Sequence, residues 1–347
     1  MNPLKLRSLW RVIREVDLEA LRLAARARFT LALISDTRDD AERLRRLLTH
    51  GDAETSAAPH PWLEVLAAAG EDPAWLTPNP WCAVLVTRDP DLGPHLRRAG
   101  NHFANAGVPV LTVVVGDTSH VAKVLRGGER ARVAVPALDA DAIEPIASAL
   151  TGVVTEDQQI ALASHLPPLR RAVFTQTIER TARANASFAL TTGLAETIPV
   201  LTAPLNLGDI VVLTKNQLMM CYRIALAAGR DEEPRKMMGE IIAVLGSGVL
   251  FRQIARQLVG LIPVAGLLPK VAVAYAGTYA IGRAMAAWTT EGRQITVETV
   301  SRFSREGLER GRALALHLVE DDAARERQPR RRFERLRKFL PGKREHS

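Results

Sequence analysis

"LALISDTRDDAERLRRLL", residues 31–48, sets an apolar run directly against a helical pattern, with only a few polar residues between them. An apolar run with no polar face reads as a strand buried on both sides, and a strand turning straight into a helix is where many nucleotide-binding proteins hold a phosphate. That use requires exposed backbone N–H groups, glycines that let the backbone come close, and no competing negative charge. Here there is no glycine, and Asp36, Asp39, Asp40 and Glu42 crowd the first turn against a single Arg38. Thr37 with Asp40 three residues on resembles a capping box. The helix dipole is answered by the chain's own carboxylates, so nucleotide is not expected at this turn.

The same alternation repeats along the first half. Further β-rich runs stand at "WCAVLVT" (81–87), "PVLTVVV" (109–115) and "ARVAVP" (131–136), with the first of the series at "FTLALIS" (29–35). Helical patterns over about 38–48, 91–106, 119–126 and 139–151 separate or follow them. Together they predict a small, mostly parallel, doubly wound α/β sheet. The stretch between His50 and Pro80 reads as a Pro-rich loop with a short helical piece near "PWLEVLAAAG". Ahead of the sheet, Leu6, Leu9, Trp10, Ile13 and Val16 fall at helical spacing among arginines, an amphipathic lead-in helix. Beyond Thr155 the strand signals stop, and Pro167 and Pro168 mark a break near the junction. The expected organisation is a lead-in helix over 1–28, an α/β domain over 29–152, an apolar helical domain over 153–320 and a basic tail over 321–347.

At 347 residues and 47% hydrophobic content the chain can bury a real core, and its net charge of +8 needs locating before it is interpreted. Between Arg330 and Arg344 there are eight Lys or Arg against one Glu, so the rest of the chain is close to neutral. Aromatics make up 5% and do not interleave with basic residues, which argues against single-strand stacking platforms. Cys82 and Cys221 have neither disulfide-framework nor metal-site spacing, which fits a reducing cytoplasm. The charged start, with Lys5, Arg7, Arg11, Arg14 and Glu15, lacks the apolar core of a secretory signal. The eight histidines include no His-Glu-x-x-His helix. "LGSGV" (245–249) is not a Gly-x-Ser-x-Gly nucleophile elbow, and its glycines suit close helix packing instead.

The helical half is punctuated by proline. "AETIPVLTAPLNLGD" and "VGLIPVAGLLPK" both carry Ile-Pro-Val followed by a second proline, Pro199 then Pro204 and Pro263 then Pro269. They read as broken-helix elements, either a weak internal duplication or a chance likeness between two connections. Ala272, Ala276, Ala280 and Ala284 recur every four residues, a small-residue stripe along which another helix can approach. Residues 257–269 are uncharged and 257–282 are interrupted by Lys270 alone. A helix broken at the midplane or a re-entrant hairpin would tolerate this in a bilayer. An amphipathic bundle in water, with Glu196, Asp209 and Lys270 at helix ends, is the other reading. In the tail, Phe333, Leu336, Phe339 and Leu340 share a helical face with Arg330, Arg331, Arg332, Arg335, Arg337 and Lys338 around them, a pattern suited to an anionic membrane surface. A solvated charge run is the alternative.

Two stretches, "TIPVLTAPLNLGDIVVLTKNQLMMCYRIALAAG" (197–229) and "LIPVAGLLPKVAVAYAGTYAIGRAMAAW" (261–288), resemble the YcjF-like family, domain of unknown function 697. The likeness rests on Gln217, Met219, Met220, Tyr222 and Ile224 and on Thr278, Tyr279, Ala280, Ile281 and Gly282, and it covers roughly 170–290. It implies an apolar helical module of the kind attached to GTPase domains and associated with membranes. By implication the α/β domain looks like a worn GTPase domain of P-loop-like topology. In that comparison "FTLALIS" is similar to the strand before the phosphate loop, "VPVLTVVVGDTS" to the guanine-reading strand, and "RVAVPALDADAIEPIASAL" to the closing strand and helix. No Gly-x-x-x-x-Gly-Lys-Ser/Thr occurs, and Val115, Gly116, Asp117 and Thr118 stand near the guanine-reading positions, so the parts that hold a triphosphate are missing. The opening stretch is also similar to a receiver domain, with Asp36 and Asp39 as its acids. Thr87 and Pro136, however, stand about where that pattern wants aspartate and lysine, and Asp89 comes two residues late.

The expected function is a non-catalytic scaffold or regulator at the cytoplasmic face of a membrane, without cofactor, metal or nucleic acid. The alternatives are a nucleotide-dependent switch with an unconventional site and a soluble helical protein-interaction module.

Overall fold

The computed structural model describes residues 17–55, 58, 60–72, 79–116, 129–194, 207–246, 267–292 and 296–337. Its order is α1 (Leu18–Ala25), β1 (Leu31–Ser35), α2 (Arg38–His50), β2 (Leu63–Ala67), β3 (Cys82–Thr87), α3 (Pro94–Asn105), β4 (Val110–Val115), β5 (Glu129–Val135) and α4 (Ile143–Val153). There follow α5 (Glu156–His165), α6 (Arg170–Leu194), α7 (Leu207–Ala227), α8 (Pro234–Gly246), α9 (Leu267–Glu291) and α10 (Val297–Arg337). An α/β part followed by helices is therefore the architecture.

All five strands are parallel, in the order β2-β1-β3-β4-β5. This is the flavodoxin-like doubly wound order, whose ligand crevice lies where the order reverses, between β1 and β3. Strands β1, β3 and β4 are buried along their whole length, as their two-sided apolar runs require. On one face α2 and α4 place Leu44, Leu47, Leu48, Ile146 and Leu150 against Leu33, Val84 and Val113. On the other, α3 places Leu96, Ala99 and Phe103 against Ile34, Leu85 and Val110.

One expectation fails inside this sheet. The piece near "PWLEVLAAAG" is not helical, because Leu63–Ala67 is β2, in parallel register with Leu31–Ser35. Leu31 N–H donates to the Trp62 carbonyl at 2.9 Å and Ala68 N–H to the Ser35 carbonyl at 2.8 Å, so pairing with β1 overrides the local alanine-rich preference. Leu6, Leu9, Trp10, Ile13 and Val16, which carry the lead-in pattern, lie outside the described residues; α1 follows them and is capped by Asp17, whose carboxylate accepts from Ala20 N–H at 2.8 Å.

The chain divides into two compact units. The first comprises Met1–Ile178, Gln217–Val244 and Met285–Gln294, and the second Glu179–Asn216, Leu245–Ala284 and Ile295–Ser347. Within the first, the Tyr222 hydroxyl donates to the Leu18 carbonyl at 3.2 Å, and Arg22 and Arg26 both engage Asp231, so α1 is tied to α7 and to the turn after it. Within the second, the sequence's small residues meet. A Cβ on Gly311 would stand 2.7 Å from the Ala272 carbonyl oxygen, and one on Gly307 would stand 3.0 Å from Ala276 Cα. Helices α9 and α10 thus cross at backbone contact, which only glycine permits.

Candidate functional site

The crevice between β1 and β3 is built by two short turns, Asp36–Thr37 after β1 and Arg88–Gly93 after β3. Thr37 caps α2, its hydroxyl oxygen accepting from Asp40 N–H at 3.3 Å. The Asp40 carboxylate then accepts two bonds from Arg88, Nη2 to Oδ1 at 2.9 Å and Nε to Oδ2 at 3.2 Å. In the second turn the Thr87 hydroxyl oxygen accepts from Asp89 N–H at 3.0 Å, and Asp89 in turn accepts from Asp91 N–H at 2.9 Å. Arg38 reaches away to Glu71 at 2.8 Å.

The electrostatics follow from this arrangement. The Asp36 carboxyl is pushed above its ordinary range by partial burial and by the neighbouring charges of Asp89 and Asp40, with His95 and a hydrogen bond from Thr87 pulling the other way. Burial is the larger cause of that shift, and the acids beside Asp36 add like charge, which disfavours a second anion close by. Arg88 is already used by Asp40. Among the described residues no group of three His, Cys, Asp or Glu side chains is placed to hold a metal ion. The turn is a capped, acid-lined helix start.

The positions named by the GTPase and receiver likenesses fall in this part. Val115 ends β4 and Gly116 follows it with a φ of 124°, while Asp117 and Thr118 lie outside the described residues. Thr87 ends β3, and Pro136 follows β5. Beside the crevice, sequence reading missed a buried ion pair. Arg132 grips Glu129 with Nη2–Oε1 at 2.6 Å and Nε–Oε2 at 3.0 Å, both side chains being 3% exposed or less. Thr112 donates to Glu129 at 2.8 Å and Arg132 to the Pro90 carbonyl at 2.6 Å, so the pair pins the turn after β3. The alternation of charge with alanine and valine in "ERARVAV" was the available signal.

In the second unit, Ala272, Ala276, Ala280 and Ala284 are all buried on α9, with Gly311 and Gly307 opposite the first two. The matching signal in the sequence was "GLERG" (307–311), a Gly-x-x-x-Gly spacing. Around the crossing, the Tyr275 hydroxyl donates to Glu179, Arg310 donates to Glu179 at 2.6 Å and to Glu306 at 3.1 Å, and the Tyr279 hydroxyl donates to Glu306. Burial and the carboxylate it donates to push the Tyr279 phenol up to about 12. Deeper in, Asn185 donates to Thr278 at 2.9 Å and accepts from Asn216 at 2.7 Å.

Pro269 lies in the first turn of α9, where a missing N–H costs no helical bond, whereas Pro199, Pro204 and Pro263 lie outside the described residues. Asp209 and Lys270 fall in the first turns of α7 and α9, and Glu196 lies outside the described residues. Arg330, Arg331, Arg332, Phe333, Arg335, Leu336 and Arg337 belong to α10, which runs on without interruption from its contact with α9, while Lys338, Phe339 and Leu340 lie outside the described residues. No described helix is long and apolar enough to cross a membrane. No protein-family model, curated protein or solved structure matches the chain.

Proposed function

We propose that the chain is a non-catalytic, membrane-associated scaffold or regulatory protein, whose GTPase-like α/β domain no longer takes nucleotide. The observation that carries the non-catalytic part is the crevice between β1 and β3, where Asp36, Asp40 and Asp89 occupy the ligand position and Arg88 is bound to Asp40. The YcjF-like character of the helical half, and the basic segment that ends α10, support association with a membrane surface. A second reading is a receiver-like regulatory domain without a phosphoacceptor, favoured by the strand order β2-β1-β3-β4-β5.

Two measurements test the proposal. Calorimetry with GTP or ATP and magnesium should give no stoichiometric binding at micromolar concentration, and guanine-specific binding would establish the switch reading instead. Changing Arg330, Arg331, Arg332, Arg335, Arg337 and Lys338 to Gln should weaken binding to anionic vesicles by about 1 kcal/mol for each residue that reaches the surface, and should flatten the salt dependence. Phe333→Ser with Phe339→Ser should lower binding while keeping the salt slope. A preference of the intact protein for DNA or RNA over such vesicles would overturn the membrane reading.

A further inference from the structure

Helix α5 ends among rings gathered at the amino-terminal edge of the sheet. The His165 ring lies edge-to-face with Trp62 at 4.5 Å and tilted to Phe29 at 6.1 Å. Phe29 also stacks on His60 at 6.4 Å and touches Trp62 and Trp81 at 5.1 and 5.5 Å. One nitrogen of each imidazole is placed to favour the neutral ring. Trp62 N–H donates to His60 Nδ1 at 3.3 Å, so that nitrogen must carry a lone pair. His165 Nε2 is buried with no hydrogen-bond partner, so a proton placed there would have no acceptor. An imidazolium carries N–H on both nitrogens, which breaks the first arrangement and leaves an orphan donor in the second.

The charges facing the pair are cationic. Arg45 and His50 face His60 from α2, with Arg45 held by Glu42. Arg170 covers the same end of α5, donating to the Ala163 carbonyl at 3.1 Å, while Arg22 and Arg26 of α1 turn to Asp231. Burial holds both imidazoles below the usual histidine value, His60 further through the charges of His165, His50 and Arg45, whereas the Ala25 backbone at the end of α1 pulls His165 the other way.

We propose that His60 and His165 form a proton-operated latch, which in its neutral state holds the end of α1 and the entry to edge strand β2 on the sheet and which opens when the imidazoles charge. Trp62 links the two, because its N–H is held by His60 while its carbonyl accepts from Leu31 at the start of β1. Acid therefore loosens this edge and leaves β3 and β4, buried between two cores, in place.

Amide exchange of the full chain, with rates corrected to the intrinsic rate at each pH, tests this between pH 7.5 and 5.5. Protection over residues 18–27 and 62–67 should fall by about tenfold for each pH unit below the ordinary histidine value of about 6.5, per imidazole that binds its proton only when open. Protection in β3 and β4 should hold. In the double variant His60→Gln, His165→Gln the loss should disappear. Ring titrations of the wild-type protein by NMR give a reading that needs no variant, and the midpoints of His60 and His165 should lie below about 6.5. Constant protection at the two edges, equal loss in β3 and β4, retention of the acid loss in the double variant, or midpoints at or above the ordinary value would each overturn the latch.

Discussion

Each of the two units is held together internally, and by opposite means. In the sheet, branched side chains such as Leu33, Val84, Val113 and Ile146 fill the space between layers, and the backbone groups satisfy one another along the strands. In the second unit, α9 and α10 approach until backbones touch at Ala272 and Gly311, and polar bonds from Tyr275, Tyr279, Arg310 and Asn185 surround or underlie the crossing. Large apolar side chains adjust by small rotations when one is changed. A contact between a glycine and a carbonyl oxygen has no side chain to move, so the second unit should be the less tolerant of added volume.

The largest effect nevertheless belongs to the sheet, at the buried ion pair of Glu129 and Arg132. Arg132→Met should cost about 3–5 kcal/mol in chemical denaturation, because it leaves the Glu129 carboxylate buried without the guanidinium that balances its charge. Replacing both, Glu129→Gln with Arg132→Met, should recover much of that loss, and if it does not, the pair contributes through the Pro90 turn and not through its charge. Next comes Gly311→Val, with an overpacking cost of about 1–3 kcal/mol, and Ala276→Leu opposite Gly307 in the same range. Leu85→Met, a volume-conserving change in the sheet core, should cost less than about 1.5 kcal/mol. Equal losses for Gly311→Val and Leu85→Met would erase the contrast between the units. The smallest effect is expected at the exposed tie between α1 and Asp231. Arg26 and Arg22 hold the Asp231 carboxyl below the usual range, so its contribution is present above about pH 4 and is lost as pH falls through the lowered folded value. Solvent screening keeps it small, and Arg26→Ala should remove the larger share while Arg22 keeps the rest, without changing behaviour between pH 5.5 and 7.

Four of the five strands are legible in the sequence: β1, β3 and β4 because a strand buried on both faces needs no partner's pattern to be recognised, and β5, which is only partly buried, from its β-branched valines. β2 is not legible, since its alanines and leucines suit a helix and only pairing with β1 decides otherwise. The acid-lined turn at Asp36 is legible from residue types alone, as repulsion between like charges depends little on exact placement. The Ala272–Ala284 stripe announces an approaching helix, but not which one, and "GLERG" (307–311), well beyond the end of α9, carries the answer. The Glu129–Arg132 pair and the imidazoles at His60 and His165 stay hidden for a further reason. Their significance lies in burial and in hydrogen-bond partners, neither of which is fixed by local spacing.

Helix α10 has a mechanical consequence of its own. From Gly311 to Arg337 it extends roughly 40 Å along its axis, more than the radius of a small domain. A helix of that length acts as a strut wherever its backbone ladder is complete. Pro329 is the one residue in it with no N–H to give, so the rung to the carbonyl four residues earlier is absent just before the arginines begin. Bending is cheapest at that joint. Force applied to the basic end would be absorbed there first, and only a pull directed along the axis would reach the crossing at Gly311.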